Sequence, residues 1–129
     1  MIKKTTTFIV LLVFLTGLFA CNAGKDEFEQ EGSNFVELLA GEKFEDAVAT
    51  FDETMADLIS PEKLQELWNQ LLDKTGTFQK QLSTRRVTYL QHEIVYVTCQ
   101  FSNGKLDVKV VYNQGKQVAG LFFVPTGAQ

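Results

Sequence analysis

One histidine and two cysteines are all that this sequence offers for imidazole or thiol chemistry. His92 stands alone, so a metal site built from several imidazoles of one chain is excluded. It falls between two predicted strands, where a turn residue faces water; acid–base work would need a carboxylate partner such as Asp57. The other carboxylates come as neighbours, Glu45-Asp46 and Asp52-Glu53. Neighbours on a helix point to different sides, so these pairs read as solvated faces and not as an acid–base dyad. Trp68 and Tyr112 join His92 as the side chains a small ligand would touch. Trp68 would serve as a stacking platform, although its spacing among leucines favours the core. Tyr112 is the one polar tip on an apolar strand face. Serine-nucleophile, P-loop, dinucleotide, zinc and EF-hand patterns are absent. The residues thus predict a non-enzyme, with no catalytic centre, metal or cofactor.

The element that would position these groups is Glu93–Val124, which reads as a β-meander. Asn103-Gly104 is a strong hairpin signal, since a two-residue type I′ turn needs φ > 0 at both central positions. A turn there pairs Phe101 with Leu106, Cys99 with Val108, Val97 with Val110 and Val95 with Tyr112. One face is then Val95, Val97, Cys99, Phe101, Leu106, Val108, Val110 and Tyr112, all apolar or aromatic. A slip of one residue would turn this set to water, which specifies the face. Cys99 lies within it and reads as an inert buried thiol. At Asn113-Gln114-Gly115 two turns remain open. A two-residue turn puts Ala119, Leu121 and Phe123 on the Val108 face; a three-residue turn puts Val118, Gly120 and Phe122 there. The last strand is apolar on both sides, so both of its faces are expected to be covered.

Helices precede the sheet. Ser33 or Asn34 would cap a short one ending at Gly41. Glu42–Ile59 continues with Phe44, Ala47, Val48, Phe51, Met55 and Leu58 at helical spacing, with a break expected near Asp52. Ser60-Pro61 is a helix start with Pro at the first position, where its missing N–H costs nothing. Leu64, Leu67, Trp68, Leu71 and Leu72 form its apolar stripe, and Gly76 its end. Phe78–Leu90 reads as a polar edge strand, with Arg85 and Arg86 deterring a further strand.

The first twenty residues stand apart: Lys3-Lys4, an apolar run over Phe8–Phe19, then Ala20 before Cys21 make a secretory signal. Leu18-Phe19-Ala20-Cys21 resembles the bacterial lipobox, which implies cleavage before Cys21 and its acylation. The chain would then be anchored in the membrane through Cys21 on the extracytoplasmic side of the cell envelope. Residues 21–32 read as an acidic tether, extended and solvated. Within it, Lys25-Asp26-Glu27 resembles the Lys-plus-two-acids signal for surface export in some bacterial lipoproteins. With acylation, Cys99 is the sole thiol and no internal disulfide forms. Of 129 residues, 45% hydrophobic, the remaining 33–129 suit one domain with a modest core. Loss of Lys3 and Lys4 leaves 10 Lys+Arg against 16 Asp+Glu, a net charge of about −6. That balance argues against a nucleic-acid partner and against electrostatic adhesion to anionic lipid.

Phe44-x-x-Ala47-Val48-x-x-Phe51-Asp52-x-x-Met55, Pro61-x-x-Leu64-x-x-x-Trp68-x-x-Leu71, Gly76-x-Phe78, Thr98-Cys99-x-Phe101 and Gly115-Lys116-x-Val118-Ala119-Gly120-Leu121-Phe122-Phe123-x-Pro125 share a resemblance. Together they are similar to a family of small bacterial domains of unknown function, found behind signal peptides or N-terminal to α/β-hydrolases. The resemblance implies an NTF2-like (cystatin-like) α+β fold, a curved four-stranded antiparallel sheet packed on N-terminal helices. It brings no catalytic residues. The sequence ends at Gln129, so no hydrolase is expected on this chain. Two functions follow as expectations. One is a lipid-anchored, non-catalytic binding module whose second sheet face forms a homodimer or docks an envelope partner. Its apolar set would be drawn from Val118, Ala119 and Leu121 to Phe123, with Tyr96 and Val111. The other is a small-ligand carrier or small enzyme, with Tyr112, Trp68, His92 or Asp57 around a pocket between sheet and helices.

Overall fold

Four helices are followed by a four-stranded antiparallel meander in this α+β chain, whose computed structural model describes residues 26–127. Helices α1 (Glu27–Ala40), α2 (Phe44–Val48), α3 (Glu53–Leu58) and α4 (Pro61–Thr75) lead into β1 (Phe78–Tyr89), β2 (His92–Phe101), β3 (Gly104–Tyr112) and β4 (Val118–Val124). Strand order is β1-β2-β3-β4, which leaves β1 at an edge as its charges suggest. This is the open sheet and helical layer of an NTF2-like domain.

The helix signals were read correctly at α4 and at the break before α3. Ser60 Oγ accepts from the Lys63 N–H and Pro61 opens the helix. Gly76 ends it at φ 82, a region that costs a side chain strain. The Asp52 carboxylate accepts from the Met55 N–H at 2.8 Å and starts α3 afresh. The tether is a correction. The helix expected at Ser33 begins at Glu27, because Asp26 and Glu29 form a reciprocal capping box. Phe28, Gly32, Val36 and Leu39 then continue one face at helical spacing onto the sheet. Residues 27–32 are therefore part of the body.

The inner face of the sheet is the one expected, and the pairing within it is another correction. Cys99 faces Leu106, Val97 faces Val108 and Val95 faces Val110, two residues away from the register read from Asn103-Gly104. The loop is Ser102-Asn103, and Gly104 already belongs to β3. Contacts from the α4–β1 connection set this choice: Ser102 N–H donates to Thr77 O, Asn103 N–H to Thr75 O, and Thr77 N–H to Ser102 Oγ. A shift of two, unlike one, keeps every side chain on its own face.

At β4 both open alternatives hold in part. Leu121 and Phe123 oppose Val110 and Val108, while Val118 opposes Tyr112 after an irregularity at Ala119. That extra residue lets Val118 face inward as well, fully buried. Between the layers lie Phe35, Val36 and Leu39 of α1, Leu64, Trp68 and Leu71 of α4, and the inward valines of β2 and β3. Burial of this kind contributes roughly 1.5–3 kcal/mol per large side chain. It holds the sheet with one face down and the other toward water.

Candidate functional site

That second face is where the chemistry-bearing side chains collect. Antiparallel pairing puts Arg85 opposite Tyr96, Val87 opposite Ile94 and Tyr89 opposite His92. On the far side Lys109 sits opposite both Tyr96 and Phe122, and Val111 opposite Gly120. The Tyr96 ring is only 4% exposed because cations cover it. The Arg85 guanidinium carbon lies 4.1 Å from the ring centroid and Lys109 Nζ 5.8 Å, with Lys109 also 5.3 Å from the Phe122 ring. Such stacking is worth about 0.5–1 kcal/mol at exposed sites. Arg85, Val87, Tyr89, Ile94, Tyr96 and Lys109 line a shallow, mostly apolar depression, and Phe122 beside it is 51% exposed. The expectation that this face of β4 is covered is thus corrected: among the described residues, no helix lies over Phe122.

Charge divides between the layers. Residues 26–76, holding all four helices, carry fourteen carboxylates and three cations; residues 77–127 carry two carboxylates and six cations. Lys80, Arg85, Lys105 and Lys109 share the outer face by register. Its one carboxylate there, Asp107, is buried and accepts from Thr98 Oγ1 at 2.7 Å and the Gly127 N–H at 3.2 Å. The net acidity read from the sequence belongs to the helices, and the sheet face is basic and aromatic.

The ligand-contact candidates do not converge. Trp68 is 1% exposed, with Phe78, Phe101 and Phe123 each 6.2 Å from its ring. Tyr112 is buried at the other end of the sheet, edge-on to Phe28 at 5.9 Å, and burial holds its phenol above the ordinary range. His92 is exposed at the start of β2, beside Gln91 and the Asn113–Gly115 turn. Asp57 is exposed on α3. Ser33 and Asp107 are the only polar or charged residues buried among those described. A groove between α2 and α4 carries Glu42, Glu45, Asp46 and Glu62, yet no cluster able to hold a metal ion occurs among the described residues. Cys99 is buried, and desolvation, with a smaller push from Asp107, moves its thiol up to about 12. Cys21 lies outside the described residues, as do the signal segment and the lipobox.

The alternation of β2 and β3 already places Ile94, Tyr96, Lys109 and Val111 on this face, and Phe122 was among the β4 candidates, but Arg85, Val87 and Tyr89 of β1 were missed. The alternation Arg85, Val87, Tyr89 was the available signal. Arg85 and Arg86 were read together as edge charges, whereas alternate residues of a strand serve opposite faces. Arg86 turns inward and bridges Asp26 and Glu93, each at 2.8 Å.

Among the described residues, a helical layer on one side of an open meander whose other side no helix covers defines an NTF2-like α+β domain, and the candidate side chains do not converge. The chain belongs to the family described as Protein of unknown function (DUF3887), whose model matches residues 32–121. It is also similar to Esterase EstD of Thermotoga maritima, 29% identical over 96 residues. That match covers 74% of this chain and 23% of the esterase, so the chain spans less than a quarter of that relative. No solved structure is a significant match.

Proposed function

We propose that this chain is a lipid-anchored, non-catalytic interaction module of the bacterial cell envelope. Acyl chains on Cys21 hold it on the extracytoplasmic side of the membrane, and the outer sheet face docks an acidic surface of an esterase-type hydrolase. The observation that carries this reading is the outer sheet face, where Phe122 is 51% exposed beside Lys109 and the Arg85–Tyr96 stack. Exposed aromatic surface flanked by cations suits a protein interface, where aromatics and Arg are enriched. Four cations on one face disfavour its pairing with the same face of a second copy. The hydrolase partner is suggested by the relative, in which a stretch like this one is joined to a much longer chain bearing the name esterase. The carrier-or-enzyme reading has less support, since the space between helices and sheet is filled by Trp68, Leu71 and Phe101.

Photo-crosslinking from position 122 in intact cells, followed by a fluorophosphonate probe for serine hydrolases, tests the docking. A crosslinked species that carries the probe, and is lost when the crosslinker moves to Glu66 on α4, is the expected result. Crosslinks to a second copy alone, or none, overturn it.

A further inference from the structure

The end of the β1–β2 hairpin is apolar where a turn is ordinarily polar. Tyr89 pairs with His92 and closes the two-residue loop Leu90-Gln91. Leu90 is 79% exposed and Tyr89 64%, with Val87 also exposed behind them. Leu90 takes φ 54, a conformation that glycine or asparagine adopts more readily than leucine. Among the described residues, none buries these apolar side chains.

The position of this tip matters. Helix α1 starts at the same end of the sheet and runs away from it: Phe28 meets Tyr112, Gly32 meets Val95, and Ser33 O accepts from the Gln81 side chain further down. Arg86, three residues before Tyr89, bonds to Asp26 at the helix N-cap. The chain therefore enters the body beside the hairpin. From Cys21 to Asp26 is five residues, a span of at most ~18 Å however it is arranged. From Arg86 to Tyr89 the strand advances ~10 Å. An anchor at Cys21 thus holds the body within a distance comparable to the hairpin's own reach. Of the carboxylates at this end, Asp26 and Glu93 share Arg86, Glu27 pairs with Lys116, and Glu29 accepts from the Asp26 N–H.

From this geometry we infer that Tyr89 and Leu90 form a membrane-contact wedge, inserted at the interface of the bilayer that holds Cys21. This rests on the proposed acylation of Cys21. The wedge would fix the orientation of the domain, with the tip down and the outer sheet face standing sideways to the membrane, open to a partner. Tyr suits the headgroup level and Leu the acyl boundary below it.

The test uses the full chain purified from membranes and reconstituted in vesicles of equal phosphatidylethanolamine and phosphatidylglycerol. Trp68, the sole native tryptophan, is buried and supplies the baseline. Replacing the lipids with brominated-chain versions should quench Leu90→Trp emission about twofold, as expected for a ring several ångströms into the interface. Glu66→Trp, on α4, should be unaffected. Tyr89→Trp repeats the measurement at a strand position if the turn rejects the larger ring. Mass spectrometry of the same sample reports acylation of Cys21. An acylated protein whose position-90 and position-89 probes are quenched no more than position 66 overturns the wedge alone. An unacylated Cys21 removes the anchor and the wedge together.

Discussion

Gly32→Ala should destabilise the protein, although a helix-interior glycine is ordinarily improved by alanine. Propensity alone favours the change by roughly 1 kcal/mol. But a Cβ at position 32 would lie 2.6 Å from Val95 Cγ1, 3.1 Å from Val95 Cβ and 3.4 Å from Val97 Cγ2. Carbon atoms pack best at about 3.5–4.0 Å, so α1 would have to lift by about 1 Å. Val95 cannot swing aside, because it is fully buried and a β-branched side chain is stiff at its first torsion. Overpacking of this kind costs about 1–3 kcal/mol. Taking the middle of that range against the propensity gain leaves a net loss of about 1 kcal/mol, or roughly 4–8 °C in Tm for a domain of this size. Urea and thermal unfolding of the protein lacking its first twenty residues, with Cys21→Ser, measure it. Val95→Ala removes the clashing methyls. On its own it should cost about 2 kcal/mol, and combined with Gly32→Ala the pair should cost at least 1 kcal/mol less than their sum. A stabilising Gly32→Ala with no coupling to Val95 would refute the packing of α1 on the sheet and return residues 27–32 to a tether.

Three further outcomes are expected. The Asp26 carboxyl is held below its usual 3.8 by the Glu29 N–H and then by Arg86, and Glu93 below its usual 4.5 by Arg86 and then Thr88. Depressed carboxylates stabilise the fold above their unfolded values and lose that contribution as pH falls through the lower folded values, so Tm should drop below about pH 4.5, and Arg86→Met should flatten that limb in melts taken from about pH 6 to 2. Because the Cys99 thiol is buried and pushed up to about 12, Ellman's reagent at about pH 8 should leave it untouched in the Cys21→Ser protein and react only as fast as the protein unfolds; rapid native labelling would contradict the buried assignment. Leu90→Asn should raise stability by about 0.5–1 kcal/mol, since leucine at φ 54 is strained and Asn is not; a lower urea midpoint would show that Leu90 has a packing role in the fold.

Much of this fold was legible because it depends on short-range rules. Ser60-Pro61 and Gly76 bound α4 through backbone groups within one turn, and Asp52 restarts a helix by reaching its own third neighbour. The inner face of β2 and β3 follows from alternation alone. The tether was misread because an acidic run looks solvated until Gly32 and Phe28 are seen as one stripe with Val36 and Leu39. A glycine carries no hydrophobic signal, yet it lets α1 sit close to Val95.

What the sequence by itself determined is therefore the inward face of β2 and β3, the bounds of α4 and the break at Asp52, because periodicity and capping are local. Only the tertiary structure decided the pairing register of β2 with β3, through the Thr75 and Thr77 backbone contacts to Ser102 and Asn103. It also decided that Val118 and Leu121 both point inward around Ala119, that Arg85 and Arg86 serve opposite faces, and that the acidic charge and the basic, aromatic sheet face lie on different layers. These are relations between residues far apart in the chain, and composition averages over them.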